Sequence, residues 1–303
     1  MRVVISGATG LIGSAWSARL AAAGHEVVPL VRRVPGPGER AIAWDPTAGT
    51  IDRAALDGCD VVVNLAGENV FGRWTAAKKR RIRDSRVRGT RLVSEAIAGL
   101  ARRPRVLLAA SAIGFYGDRG AEELTERSTP GDDFLAQVAR DWEAAAAPAA
   151  AAGVRVVNLR FGVVLTPSGG ALARMLPAFR LGLGGPVGSG SQYLSWIALD
   201  DVLGAMAHAI ATDALAGPVN ITAPRPVPHL EFVRTLGRVL RRPAALPVPV
   251  LALRLMFGAE GAALLQSGQR VLPARLLGSG FRFQFEALEP ALRHLLAAPA
   301  GRP

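Results

Sequence analysis

The residues of this chain best suited to chemistry stand at its start: Gly7, Gly10 and Gly13, within the stretch ISGATGLIG at residues 5–13. They separate an apolar run, Arg2 to Ile5, from a segment with helical character, Ser14 to Ala23. In a strand-loop-helix unit the first glycine permits a tight turn, the second lets backbone approach a pyrophosphate, and the third allows close helix-strand packing. Amides at the helix start then hold the phosphates. Further on, the second apolar run, VVPLV, leads into Arg32 and Arg33, and no Asp or Glu follows before Glu39. An acid at that place would bond a ribose 2′-hydroxyl, whereas arginine pairs with a 2′-phosphate through charged hydrogen bonds, so the residues favour NADP(H). An ordinary exposed arginine pair is the other reading.

Other reactive types are scarce. Lys78 and Lys79 are the only lysines, so 34 of the 36 basic residues are arginine, and Tyr116 and Tyr193 are the only tyrosines. A single cysteine, Cys59, excludes an intrachain disulfide and a thiolate cluster and suits a reducing compartment, so a cytoplasmic location is expected. His25, His208, His229 and His294 have no metal-ligand spacing, and no metal is expected. The net charge of +12 raises the question of nucleic acid. The one dense basic segment, KKRRIRDSRVRGTR at 78–91, lacks interleaved aromatics and reads as an exposed helix with a loose stripe of Ile82, Val87 and Leu92. No nucleic-acid partner is expected. No apolar run reaches the roughly 18 to 20 residues of a membrane span, and the uncharged stretch Val3 to Ser17 is better explained by its glycine spacing than as a signal peptide.

These residues need elements to position them. Strand-length apolar runs at Val3–Ile5, Val27–Val31, Val61–Leu65, Val106–Ala110 and Val154–Leu159 alternate with helix candidates near 12–23, 75–99 and 133–152. Repeated βα units with near-continuous apolar strands predict an α/β fold, a Rossmann-type doubly wound parallel sheet covered on both faces. Pro148 should end or kink its helix. After Leu165 the chain turns Gly- and Pro-rich, and Val219–Thr222 is expected to return as a strand. The expected organisation is a dinucleotide-binding domain over 1–165, rejoined by 201–222, and a smaller C-terminal substrate lobe over 166–200 and 223–303.

Together with NLAGEN at 64–69, SAIGFYGD at 111–118 and SWIALDD at 195–201, the loop makes the chain resemble an extended short-chain dehydrogenase/reductase. It is most similar to the atypical, sugar nucleotide epimerase-like family, through WDP (44–46), SRVRGT (85–90), DFLAQVARDWE (133–143), RFGVVL (160–165) and LGLGGPVGSGSQ (181–192). The tail, GQRVLPARLLGSGFRF at 268–283, resembles that family's C-terminal domain of unknown function. The resemblance implies NADP(H) bound by Gly7, Thr9, Gly10, Leu11 and Ile12, by Arg32, by Leu65, Ala66 and Gly67, by Arg86 of the SR pair, and by Val164. Leu65 to Gly67 could also be a plain strand-ending turn, Arg86 a surface charge, and Val164 core.

The resemblance also implies hydride transfer on a carbonyl or nucleotide-sugar-like small molecule, yet the chain departs from it where the proton moves. Working members of the superfamily pair a tyrosine with a lysine four residues on, and here positions four beyond Tyr116 and Tyr193 are Gly120 and Ile197. If Glu143 matches the acid that follows that pair, Leu135 and Ala139 replace it, and neither can move a proton. Ser111 keeps the place of the catalytic hydroxyl and is a candidate to orient a carbonyl, or to cap backbone. Tyr116 is a candidate substitute acid, although a phenol with pKa near 10 suits neutral pH poorly. Asp118, Glu122, Glu123 and Glu126 read as a solvated lid or a substrate border. Gly188 to Gln192, Ser195, Trp196 and Asp201 fall where extended members close over substrate, with Trp196 read foremost as core. Asp201 reads as a cap for a helix starting near Val202. A non-catalytic NADP-binding regulatory or scaffold protein is the alternative function.

Overall fold

The computed structural model describes residues 1–248, 258 and 267–297. Eight strands form the central sheet: β1 (Arg2–Ser6), β2 (Glu26–Val31), β3 (Ile42–Asp45), β4 (Thr50–Ile51), β5 (Val61–Asn64), β6 (Val106–Ala112), β8 (Arg155–Phe161) and β12 (Gly217–Ile221). Their order is β12-β8-β6-β5-β1-β2-β3-β4, and every pair is parallel except β3 with β4. Three two-stranded pairs lie outside it: β7 (Glu123–Leu124) with β14 (Arg270–Val271), β9 (Val163–Leu165) with β11 (Trp196–Ala198), and β10 (Tyr193–Leu194) with β13 (Val227–Pro228).

The strands are apolar at most positions because helices cover both faces. Alternation decides which face each side chain takes: Val3 and Ile5 join one core with Trp16 and Leu20 of α1 (Leu11–Ala22) and with Val202 and Met206, whereas Val4 joins the other. That second core holds Leu56 of α2 (Arg53–Leu56) and Leu92, Val93 and Ile97 of α3 (Ala76–Ala98). The buried face of α3 runs through Ile82, Gly89, Thr90 and Leu92, and Val87 is only half-buried, so the expected stripe is partly corrected.

The helix expected over 133–152 is two, α4 (Phe134–Ala144) and α5 (Ala147–Ala151). Pro148 sits in the first turn of α5, where its missing amide costs nothing, so the break falls just before it. Strand β3 and the edge strand β4 had no counterpart in the sequence reading, being too short to carry a periodicity. Val219 to Ile221 do return as part of β12, beside β8.

A third apolar cluster unites Leu172, Leu176 and Phe179 of α6 (Gly170–Arg180) with Trp196, and with Phe232, Val233 and Leu236 of α8 (His229–Leu240). Leu292 of the terminal helix Leu288–Ala297 joins it. The expected substrate lobe also includes 249–257, 259–266 and 298–303, which lie outside the described residues.

Two polar expectations are corrected. Asp201 does not cap a helix at Val202: α7 (Leu199–Ala211) starts earlier, and the Asp201 carboxylate accepts the amides of Gln284 at 2.7 Å and Phe285 at 3.0 Å. The acidic loop is solvated at three of its four acids but is tied down, not free to act as a lid. Asp118 accepts the amide of Gly268, Glu123 pairs with Arg270, and buried Glu126 accepts the amides of Asn220 and Arg275. Asp118, Glu122 and Glu123 remain exposed, Glu122 pairing locally with Arg119.

Candidate dinucleotide site

The chain leaves β1 for β2 on one side and leaves β5 for β6 on the other, so strand order reverses between β1 and β5. A crevice at the carboxyl ends of such strands is where open α/β sheets take ligands. Gly7, which follows β1, has φ +70°, and a Cβ there would lie 2.9 Å from the Leu65 carbonyl carbon. At Gly13 a Cβ would stand 2.1 Å from the Gly7 oxygen. Both glycines are therefore required by the protein's own packing. Gly10 differs: a Cβ there would meet only the Gly7 oxygen, at 3.2 Å, and the residue is exposed. Gly10 also caps α1 without a side chain, and no acid lies in the first turn. The first amides of a helix have no partner within it, so Leu11 and Ile12 present theirs at this end. Thr9 is exposed beside them.

Leu65, Ala66 and Gly67 cross the end of β5 against this loop. Ser6 Oγ accepts the amides of Leu65 at 3.1 Å and Ala66 at 3.2 Å while donating to Asn64 Oδ1. Asn64 Nδ2 donates to Thr90 Oγ1 at 2.7 Å, which also receives Trp142 Nε1 at 2.8 Å. A buried polar chain thus fixes the turn from below, and Gly67 stays exposed above it. Arg86 is not a surface charge. Its Nη1 donates to the carbonyls of Glu68 and Ile82, its guanidinium packs over Trp142, and a Cβ on Gly67 would lie 3.3 Å from its Cζ. Burial pulls the Arg86 pKa down to about 10, against the opposing charge of Glu68.

The arginines after β2 divide. Arg33 forms a two-pronged pair with Glu39, whereas Arg32 is exposed and has no partner among the described residues. Val164 is half-buried beside the first core and pairs in register with Ile197. Leu11 packs on the segment TPSGG, where a Cβ on Gly169 would come within 2.7 Å of Leu11 Cδ1.

At the end of β6 the geometry differs from expectation. Ser111, 2% exposed, donates its hydroxyl to Glu143 Oε1 at 2.7 Å. Arg160 grips the same carboxylate, Nε to Oε1 at 2.7 Å and Nη2 to Oε2 at 2.8 Å, and stacks 3.5 Å from the Phe115 ring centroid. Burial lowers the Arg160 pKa, but the bonds and charge of Glu143 outweigh it and the net shift is upward. Tyr116 has no exposed surface, accepts Arg160 Nη1 at 2.9 Å and donates to Asn220 Oδ1 at 2.7 Å. Burial pushes its pKa up, away from neutrality.

Sequence reasoning missed Arg160, Asn220, Asn64 and Thr90. The available signal was a charge inside VVNLRF, since a polar residue in a doubly covered strand must bring its partner. Ala139 is buried and Leu135 packs on Gly114. Trp196 is core, its indole donating to the Arg225 carbonyl at 3.0 Å. Ser195 ties down Gln269 and Val271, and Gly190 lies against Leu230. No group of three metal-ligating side chains, and no helix long and apolar enough to cross a membrane, occurs among the described residues.

A doubly wound sheet with a glycine loop at its switch point defines a nucleotide-binding Rossmann protein. Residues 3–222 match the NAD dependent epimerase/dehydratase family, and the chain belongs to it; residues 248–295 match a domain of unknown function. An epimerase family protein of Mycobacterium tuberculosis is 44% identical over 300 residues, 98% of either chain. The crystal structure of human epimerase family protein SDR39U1, isoform 2, with NADPH has a TM-score of 0.88 at 36% identity, over 98% of this chain and 99% of that one. A nucleoside-diphosphate sugar epimerase from Corynebacterium glutamicum has a TM-score of 0.78 at 40% identity, over 98% of this chain and 58% of its own.

Proposed function

We propose that the chain is an NADP(H)-binding oxidoreductase of the epimerase class, passing hydride to or from a carbonyl or nucleotide-sugar-like compound in the cytoplasm, and slowly. The observation that carries the cofactor choice is the division of the arginine pair, with Arg33 spent on Glu39 and Arg32 free to meet a 2′-phosphate. The human relative crystallised with NADPH supports the same reading. When bound, NADPH supplies hydride. Gly10 leaves room for the pyrophosphate, and the amides of Leu11 and Ile12 face it with Thr9. Leu65, Ala66 and Gly67 border the nicotinamide side with Val164, and Arg86 holds the turn beneath and adds positive charge.

The slowness follows from the proton. Leu135 and Ala139 cannot transfer one, Ser111 has committed its proton to Glu143, and Tyr116 has committed its own to Asn220. We therefore take Tyr116 as a positioning residue instead of the substitute acid, and Ser111 as able to accept a bond from substrate. The same commitments favour a second reading, a protein that binds NADP(H) without turnover and acts as a regulator or scaffold. A screen of carbonyl compounds and nucleotide sugars for NADPH oxidation separates the two. Any substrate turned over above background supports the oxidoreductase; NADPH binding with no oxidation across the screen supports the regulator.

A further inference from the structure

Away from the crevice, the far end of α8 carries an unusual concentration of charge. Arg234, Arg238 and Arg241 recur at spacings of four and three, which stacks them on one side of the helix, and Arg242 follows. All four line one cavity of about 690 Å³. Its remaining wall is apolar, including Leu230, Pro186 and Ala244. The loop after α8 folds back to make it, since a Cβ on Gly237 would lie 2.7 Å from Ala244 Cβ and 2.9 Å from the Arg242 oxygen. Arg242 Nε then anchors that loop to the Arg180 carbonyl at 3.0 Å.

Charge there is poorly compensated. Arg238 reaches Glu289 at 3.2 Å, but Glu289 is shared with Arg293 at 2.6 Å. The side chains of Arg234 and Arg241 have no hydrogen bond or ion pair among the described residues. The dipole of α8 accounts for one cation in its last turn, not for four around one hollow. The backbone gives independent evidence. Arg241 is the only non-glycine residue with positive φ among the described residues, at φ 54° and ψ 45°. Glycine ordinarily takes that place after a helix because it is strain-free there. A side chain kept in a strained conformation is characteristic of a site that uses it.

We propose that this cavity is an anion site for a compound carrying two or more phosphate groups, either a free oligophosphate or the phosphate end of a nucleotide. Guanidinium forks match phosphate oxygens two at a time, and a single small monoanion would leave most of the charge unmet. The test is calorimetric titration of inorganic tripolyphosphate into the full chain holding one equivalent of NADPH, which fills the glycine loop without an excess to compete at the arginines, at an ionic strength of about 0.15 M. One site is expected, weakened roughly tenfold or more by Arg234→Ala and by Arg241→Gly, and unaffected by Arg32→Ala. Arg241→Gly relieves the backbone, so its melting temperature should hold or rise while the anion is lost, which separates binding from folding. A parallel titration with ATP tells the sources apart: tighter binding than tripolyphosphate assigns a nucleotide, equal or weaker binding a free oligophosphate. No binding of tripolyphosphate or ATP, affinity untouched by both substitutions, or affinity lost only in Arg32→Ala overturns the proposal.

Discussion

Three glycines that look equivalent in ISGATGLIG do different work, and substitution should tell them apart. Gly13→Ala drives a Cβ to within 2.1 Å of the Gly7 oxygen, so overpacking should cost about 1–3 kcal/mol in chemical denaturation. Gly10→Val meets little protein, so its circular dichroism should stay native while NADPH binding disappears; a folded Gly10→Val that binds NADPH normally would remove the loop from the site. Tyr116 has a sharper test. Tyr116→Phe leaves Arg160 Nη1 and Asn220 Oδ1 without a buried partner, which should cost about 1–3 kcal/mol of stability and leave NADPH affinity intact. The phenol's folded pKa lies above its unfolded value of 10.0, so its contribution is fully present below pH 10 and is lost as pH rises from there through the folded value. The difference in stability between the native sequence and Tyr116→Phe should therefore shrink on the alkaline side. Unchanged stability together with lost NADPH oxidation would make Tyr116 the acid after all.

At the scale of elements, β1, β5, β6, β8 and β12 were legible because burial on both faces demands a mostly apolar run. The pair β3 and β4 was not, since four and two residues carry no period. The junction of β7 with β14 was hidden for another reason: it joins segments distant in the chain, and Asp118, Glu123 and Glu126 read locally as a polar loop when they are fasteners for residues 268–275. The tight turn at Gly7 and the close packing at Gly13 could be read because they depend on local spacing. The chain from Ser111 through Glu143, Arg160 and Tyr116 to Asn220 could not, because it is assembled only when β6, α4, β8 and β12 meet. Asp201 illustrates the same limit, its sequence position suiting a cap that the earlier start of α7 makes unnecessary. Asp201→Ala should free the amides of Gln284 and Phe285, and hydrogen exchange should accelerate at those two positions. Acceleration confined to the first turn of α7 would restore the capping role.

For the whole molecule, Cys59 serves as a reporter. It is 2% exposed, and burial pushes its thiol up to about 11, so maleimide should label it only as the protein opens. On the proposed function NADPH binds the folded form alone, so a concentration of about 100 times Kd should slow labelling by roughly a hundredfold where opening is global. Rapid labelling that ignores NADPH would mean that the turn before β5 opens by itself. The central claim is that this epimerase-family chain is built to hold NADP(H), with Arg32 reading the 2′-phosphate. Its most direct test is calorimetric titration of the unmodified protein and of Arg32→Ala with NADPH and with NADH. The unmodified protein should prefer NADPH by roughly ten- to a hundredfold, about 1.5–3 kcal/mol, and Arg32→Ala should erase most of that preference. Equal affinity of the unmodified protein for the two cofactors would contradict the account.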